Sequence, residues 1–136
     1  MIIWEEPEVV YQKNENFPLK AETFEIIGIC MEVHRILGKG LLEIVYKDAI
    51  QHELNLKNIK YEREKKYEVE YKGVILPHYF YSDFVINNII VEIKAQNGIV
   101  EEQYSQVLNY IAISKCKVGL LINFGENSLK FKRFIL

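Results

Sequence analysis

The stretch YSDFVINNIIVEIKAQ, residues 81 to 96, constrains the fold more than any other part of the chain. Two aromatic and β-branched runs flank Asn87-Asn88. Asparagine tolerates the positive φ of a two-residue hairpin turn, so the runs read as adjacent antiparallel strands. That turn sets Ile86 opposite Ile89, Val85 opposite Ile90, Phe84 opposite Val91 and Asp83 opposite Glu92. Side chains alternate along a strand. Asp83, Glu92 and Lys94 therefore share one face, and Phe84, Ile86, Ile89, Val91 and Ile93 share the other. A slip of one residue would exchange the faces.

The flanking segments fit a mixed sheet. Residues 1 to 20, with Pro7, Pro18 and the polar run QKNENFP, read as an N-terminal arm. Residues 21 to 136 read as one domain, a length that suits a single core. Phe24, Ile27, Ile29, Met31, Val33, Ile36 and Leu37 suggest a largely buried helix over 21 to 37, which GKG at 38 to 40 ends. A second helix runs from about Leu41 to Asn58, with Leu42, Val45, Ala49, Ile50 and Leu54 on one stripe. The period then changes to two, with a turn at YKG. After the hairpin, VEEQYSQVLNYIAIS reads as a helix and KVGLLINF as a central parallel strand. LKFKRFIL alternates and closes the chain. Two helices, three antiparallel strands and a helical crossover to two more strands make an α/β fold, a mixed β-sheet with flanking helices.

Composition excludes little. The net charge of −2 gives no global pull toward nucleic acid or an anionic membrane. No apolar run reaches the length of a membrane span, and the acidic N-terminus does not fit a secretory signal. Cys30 and Cys116 lack metal-site spacing and read as free thiols in a reducing, cytoplasmic setting.

The charged face of the hairpin needs a reason, because charges cost several kcal/mol each to withdraw from water unless paired. Two carboxylates opposite each other repel. Lys94 supplies part of the compensation, and a divalent cation would supply more, since it takes hard oxygen ligands. A lysine beside such a metal could activate water or stabilise charge on a phosphate. The plainer alternative is an ordinary cross-strand Lys–Glu pair with Asp83 at a solvated edge. In GKGLLEIVY, Glu43 and Tyr46 lie on one face at the start of the second helix. Glu43 can serve the same centre or simply complement the helix dipole. Tyr46 can be packing. The glycines can be an ordinary turn, or can let backbone approach an anion with help from Lys39. Gln106, on the crossover helix, can reach the charged face or be solvated.

These motifs together resemble a known family. GKGLLEIVY is similar to the GxxExxY motif through Gly40, Glu43 and Tyr46. SDFVINNIIVEIKA resembles the D…ExK hairpin of that family, and SQVLNYIAISKCKVGLLINFG its QxxNY helix and following strand. The GxxExxY family is grouped with the PD-(D/E)XK nuclease superfamily, which has a restriction-endonuclease-like fold and typically cuts DNA with magnesium. The resemblance implies metal ligation by Asp83, Glu92 and Glu43, with Mg²⁺ or Mn²⁺ as the ion. It implies catalytic roles for Lys94 and Gln106, and substrate contacts from Lys39, Gly40 and Tyr46. Ser82 stands where the superfamily often has proline, Lys39 where relatives have proline, and Gln103 near a position that is histidine elsewhere. The implied activity is metal-dependent hydrolysis of phosphodiester bonds in DNA. Lys65, Lys66 and Lys115 join Lys39 as candidates for backbone contact. The other reading is a non-catalytic nucleic-acid-binding or protein-interaction module on the same fold, which the net charge favours. So short a chain has little surface to wrap a duplex, which leaves a homodimer open.

Overall fold

Asn87 and Asn88 both adopt positive φ, 48° and 65°, as the two-residue turn demands. The computed structural model describes residues 18–99 and 101–136. The expected N-terminal arm lies outside the described residues as far as residue 17. Pro18 and Leu19 form a turn, and Lys20 already opens a helix. The elements in chain order are α1 (Lys20–Leu37), α2 (Glu43–Leu56), β1 (Tyr61–Tyr71), β2 (Val74–Ile86), β3 (Ile89–Lys94), α3 (Glu101–Ser114), β4 (Val118–Asn123) and β5 (Lys130–Ile135).

The strands form one sheet in the order β1-β2-β3-β4-β5. Only β3 and β4 are parallel, joined through α3, so the sheet is mixed as the sequence predicts. The β2–β3 register is the expected one, with Ile86 on Ile89, Val85 on Ile90 and Phe84 on Val91. Phe84, Ile86, Ile89, Val91 and Ile93 pack with α1 and α2, while Ile90 and Leu121 pack with Val107, Tyr110 and Ile111 of α3. A sheet covered on both faces explains why every residue of β4 is buried. Gly119 lets α3 approach: a Cβ there would stand 2.8 Å from side-chain atoms of Val107 and Ile111.

Three sequence expectations need correction. The first helix is buried on one face only, through Ile26, Ile27, Ile29, Cys30 and Val33, whereas Phe24, Met31 and Ile36 are exposed. Leu42 precedes α2 instead of joining its buried stripe, and is exposed. In β5 burial does not alternate, because Phe131 joins the α1–α2 core and Phe134 the α3 core. Among the described residues no helix is long and apolar enough to cross a membrane.

Candidate active site

The β2–β3 ladder stops where the charges begin, at Phe84–Val91. Beyond it, side chains take over the hydrogen bonding. The Asp83 backbone N–H donates to Glu92 Oε2 at 2.7 Å, and the Ile93 N–H donates to Asp83 Oδ2 at 2.8 Å. Asp83 and Glu92 therefore meet as the turn register requires, but through carboxylates in place of ladder carbonyls. On the other side, the β1–β2 register passes from Arg63–Phe84 to Lys65–Ser82 and skips Glu64 and Asp83. Glu64 has φ 53°, a left-handed backbone inside an extended strand. The hairpin changes layers at this interruption. Tyr61 and Phe84 belong to the α1–α2 core, whereas Tyr67 belongs to the α3 core and Phe80 meets Tyr110 edge-on at 6.2 Å.

Helix α2 brings two more charges to this point. Glu43 is its first residue, and Lys47 follows one turn later on the same face. The Lys47 ammonium donates to Asp83 Oδ1 at 2.9 Å and also to Glu64. Its side chain is 8% exposed. Burial works to lower the Lys47 pKa, but the bonds to Glu64 and Asp83 outweigh it and hold the pKa above its ordinary value. Burial, and then the charge of Asp83, push the Glu43 carboxyl up, and Lys94 and Lys47 offset this in part. Glu92 is 4% exposed and makes no ion pair among the described residues. Burial first and the Asp83 charge second raise its pKa to about 8. Lys94 is half-buried and also makes no ion pair among the described residues, so its ammonium is uncommitted.

The remaining sequence candidates divide. Gln106 is exposed and donates to the Tyr110 hydroxyl at 3.3 Å. That hydroxyl is pushed up in pKa by burial and then by Glu92 and Asp83. Gln106 thus bears on the carboxylates through Tyr110, the tyrosine of the QxxNY motif, to which the motif alone assigned no role. Tyr46, expected among the substrate contacts, is fully buried. Its hydroxyl donates to the Gly38 carbonyl at 2.6 Å and accepts from the Leu41 N–H at 3.2 Å, while its ring stacks on Phe124 at 4.6 Å. These contacts fix the GKG loop, so Tyr46 shapes the site's rim from beneath. Gly40 has φ 101°, which only glycine adopts readily, and it and Lys39 are exposed. Lys39 borders a shallow cleft of about 360 Å³ with Asn97, Ser128 and Lys130.

Two of the site's charges escaped sequence reading for different reasons. Lys47 lies four residues after Glu43, so a helix that presents Glu43 presents Lys47 as well, and the signal was available. Glu64 sits in KYEREKKYE, an alternating run that gives no sign of a left-handed residue.

The donors can be tested against a divalent cation. Among the described residues no three His, Cys, Asp or Glu side chains are arranged to enclose a metal. The chemistry of Asp83 and Glu92 nevertheless fits a hard ion, which often binds through one or two carboxylates and completes its shell with water and phosphate. The burial of Glu92, which with the Asp83 charge pushes its carboxyl up, supports the fit, since a cation at that carboxylate would relieve the cost.

A family model described as the PD-(D/E)XK nuclease superfamily matches residues 20–134. No curated protein matches. Among solved structures, the crystal structure of SSO0001 is similar in fold, with a TM-score of 0.54 at 17% identity. The match covers 94% of this chain and 58% of that one, so the chain spans well under two thirds of the SSO0001 chain.

Proposed function

Since the chain belongs to the PD-(D/E)XK nuclease superfamily, we propose that it is a metal-dependent nuclease of the GxxExxY type that hydrolyses phosphodiester bonds in DNA. The observation that carries this reading is the Asp83–Glu92 interlock, with an uncommitted lysine two residues along β3. Asp83 and Glu92 are the residues that would hold Mg²⁺, or Mn²⁺ in its place, with Glu43, whose carboxyl feels the Asp83 charge, as the helix-borne acid beside them. When bound, the ion supplies Lewis acidity and a nucleophilic water near neutral pH.

The chain's own groups do the rest. In hydrolysis one P–O ester bond breaks as a water oxygen bonds to phosphorus, and negative charge grows on the phosphoryl oxygens. Lys94 makes no ion pair among the described residues and can meet that charge. The Ile93 N–H and Lys47 hold Asp83 still while this happens. Gln106 and Tyr110 line the α3 side, and Lys39 with Gly40 offers a cation and open backbone to the phosphate chain.

A second reading is supported by Lys47, which already neutralises Asp83, and by the net charge of −2. In it the fold survives as a binding module without turnover, in which a homodimer would enlarge the surface. Purified protein incubated with single- and double-stranded DNA and RNA, with Mg²⁺, Mn²⁺ or chelator, separates the two. The nuclease reading requires metal-dependent cleavage that the chelator abolishes. Binding without cleavage in every arm favours the module.

A further inference from the structure

The bridge from Lys47 to Asp83 and Glu64 lies outside the residue set expected of the site. Its two acids arrive by different routes. Asp83 is held by the Ile93 N–H, and Glu64 is turned toward the lysine at a left-handed position within β1. Left-handed backbone is unfavourable for a side-chain-bearing residue and persists where surrounding interactions determine it. The bridge to Lys47 is such an interaction.

An ammonium between two carboxylates offsets their repulsion and fixes their spacing. A second divalent ion does the same in a two-metal centre. We propose that Lys47 is the site's built-in second cation: it occupies the position between Asp83 and Glu64, so that the centre takes one divalent ion, on the Glu92 side of Asp83, and not two. This rests on the metal-dependent reading above. Asp83 can serve both neighbours, because each carboxylate oxygen carries two lone pairs. Lys47 is in this sense a positioning residue, holding Asp83 for the ion without touching substrate. Glu64 is 50% exposed, so water and a small ion can reach its carboxylate once the ammonium is gone.

The test is the number of Mn²⁺ ions bound per chain, read by native mass spectrometry and calorimetry on the full chain. Wild type is expected to bind one ion. Lys47→Met should bind two, because Asp83 and Glu64 are left as an open oxygen pair. Lys47→Arg should restore one, and Lys47→Met with Glu64→Gln should also return to one, because half of the vacated site is gone. Thermal melts give a second readout: Mn²⁺ should raise the Tm of Lys47→Met by more than that of wild type. Should Lys47→Met be unfolded without metal, Mn²⁺ is expected to refold it, as read by circular dichroism, and failure to do so would overturn the proposal. Two ions on wild type, or one on wild type and Lys47→Met alike, would also overturn it while leaving the metal-dependent reading intact. No Mn²⁺ on any variant would remove that reading and this proposal together.

Discussion

Asp83 and Glu92 are interlocked across two strands. The Asp83 N–H donates to the Glu92 carboxylate at 2.7 Å, and the Asp83 carboxylate accepts the N–H of Ile93, the residue after Glu92, at 2.8 Å. Each acid is thus placed by the backbone of the other's strand. The geometry survives the loss of ladder pairing and keeps two carboxylates together in spite of their repulsion.

The first prediction concerns the proton on Glu92. Its folded pKa, about 8, lies above the 4.5 of an ordinary glutamate. Between those values the folded chain keeps a proton that the unfolded chain has released, so metal-free stability falls as pH rises through the window. At 1.36 kcal/mol per pKa unit, the interval from 4.5 to about 8 corresponds to a loss on the order of 4–5 kcal/mol by pH 8.5. Glu92→Gln removes the titration, so urea denaturation should show it more stable than wild type at pH 8.5 and similar to it at pH 4.5. Divalent-ion binding to wild type should release a proton near pH 7, seen as a buffer-dependent calorimetric enthalpy.

Lys132 makes the opposite case. It is 1% exposed, its ammonium has no hydrogen-bond partner among the described residues, and the Tyr104 and Phe134 rings lie 4.9 and 5.8 Å from it. Burial lowers its pKa to about 8 from 10.5. Below pH 8 the folded state bears a desolvated charge that the aromatic faces offset in part. Above pH 8 the folded chain loses that proton before the unfolded chain does, so this residue's contribution raises stability up to about pH 10.5. Lys132→Met should raise stability by about 1–3 kcal/mol at pH 7 and remove this rise, as measured by denaturant titration.

Asn123 holds the far end of the site. It is fully buried; its Oδ1 accepts from the Gln96 and Gly125 N–H groups, and its Nδ2 donates to Gln96 O and Glu126 Oε2. It lies beside Lys94 in the parallel ladder. Asn123→Ala leaves several of these groups without partners, so a loss of about 2–4 kcal/mol is expected in thermal or urea unfolding. Asn123→Asp keeps the two acceptor bonds but sets a buried carboxyl against the Glu126 carboxylate and the Gln96 carbonyl, so at neutral pH it should lose at least as much.

The GKG loop rests on one hydroxyl. Tyr46→Phe keeps the stack on Phe124 and removes the bonds to Gly38 and Leu41. The expected cost is about 1–2 kcal/mol, with faster amide exchange at Leu41. Unchanged exchange would show that the loop holds itself.

Much of this arrangement was legible in the sequence, and the rest was hidden for physical reasons. Asn87-Asn88 fixes the β2–β3 register, and from register alone Asp83 and Glu92 must meet. The sheet's two-sided cover was legible in the unbroken apolar run of β4. The break in pairing was not, because it depends on a left-handed Glu64 that no residue preference announces. Helix periodicity could not tell that Phe24, Met31 and Ile36 face outward, since a helix with apolar residues on many sides looks buried from every one of them. Tyr46 looked like a site residue because it is spaced with Glu43, yet the spacing serves the loop.

The most direct test of the central claim pairs cleavage of labelled DNA with Mn²⁺ calorimetry, on wild type and Lys94→Ala. Lys94 has no ion pair among the described residues, so its removal should leave the carboxylates able to bind metal while turnover falls by about 10²–10³-fold, the scale of losing one transition-state charge stabiliser. Wild type should cut with Mg²⁺ or Mn²⁺ and stop with chelator. Wild-type protein that binds no divalent ion and cuts nothing, or Lys94→Ala that cuts at the full rate, would contradict the account.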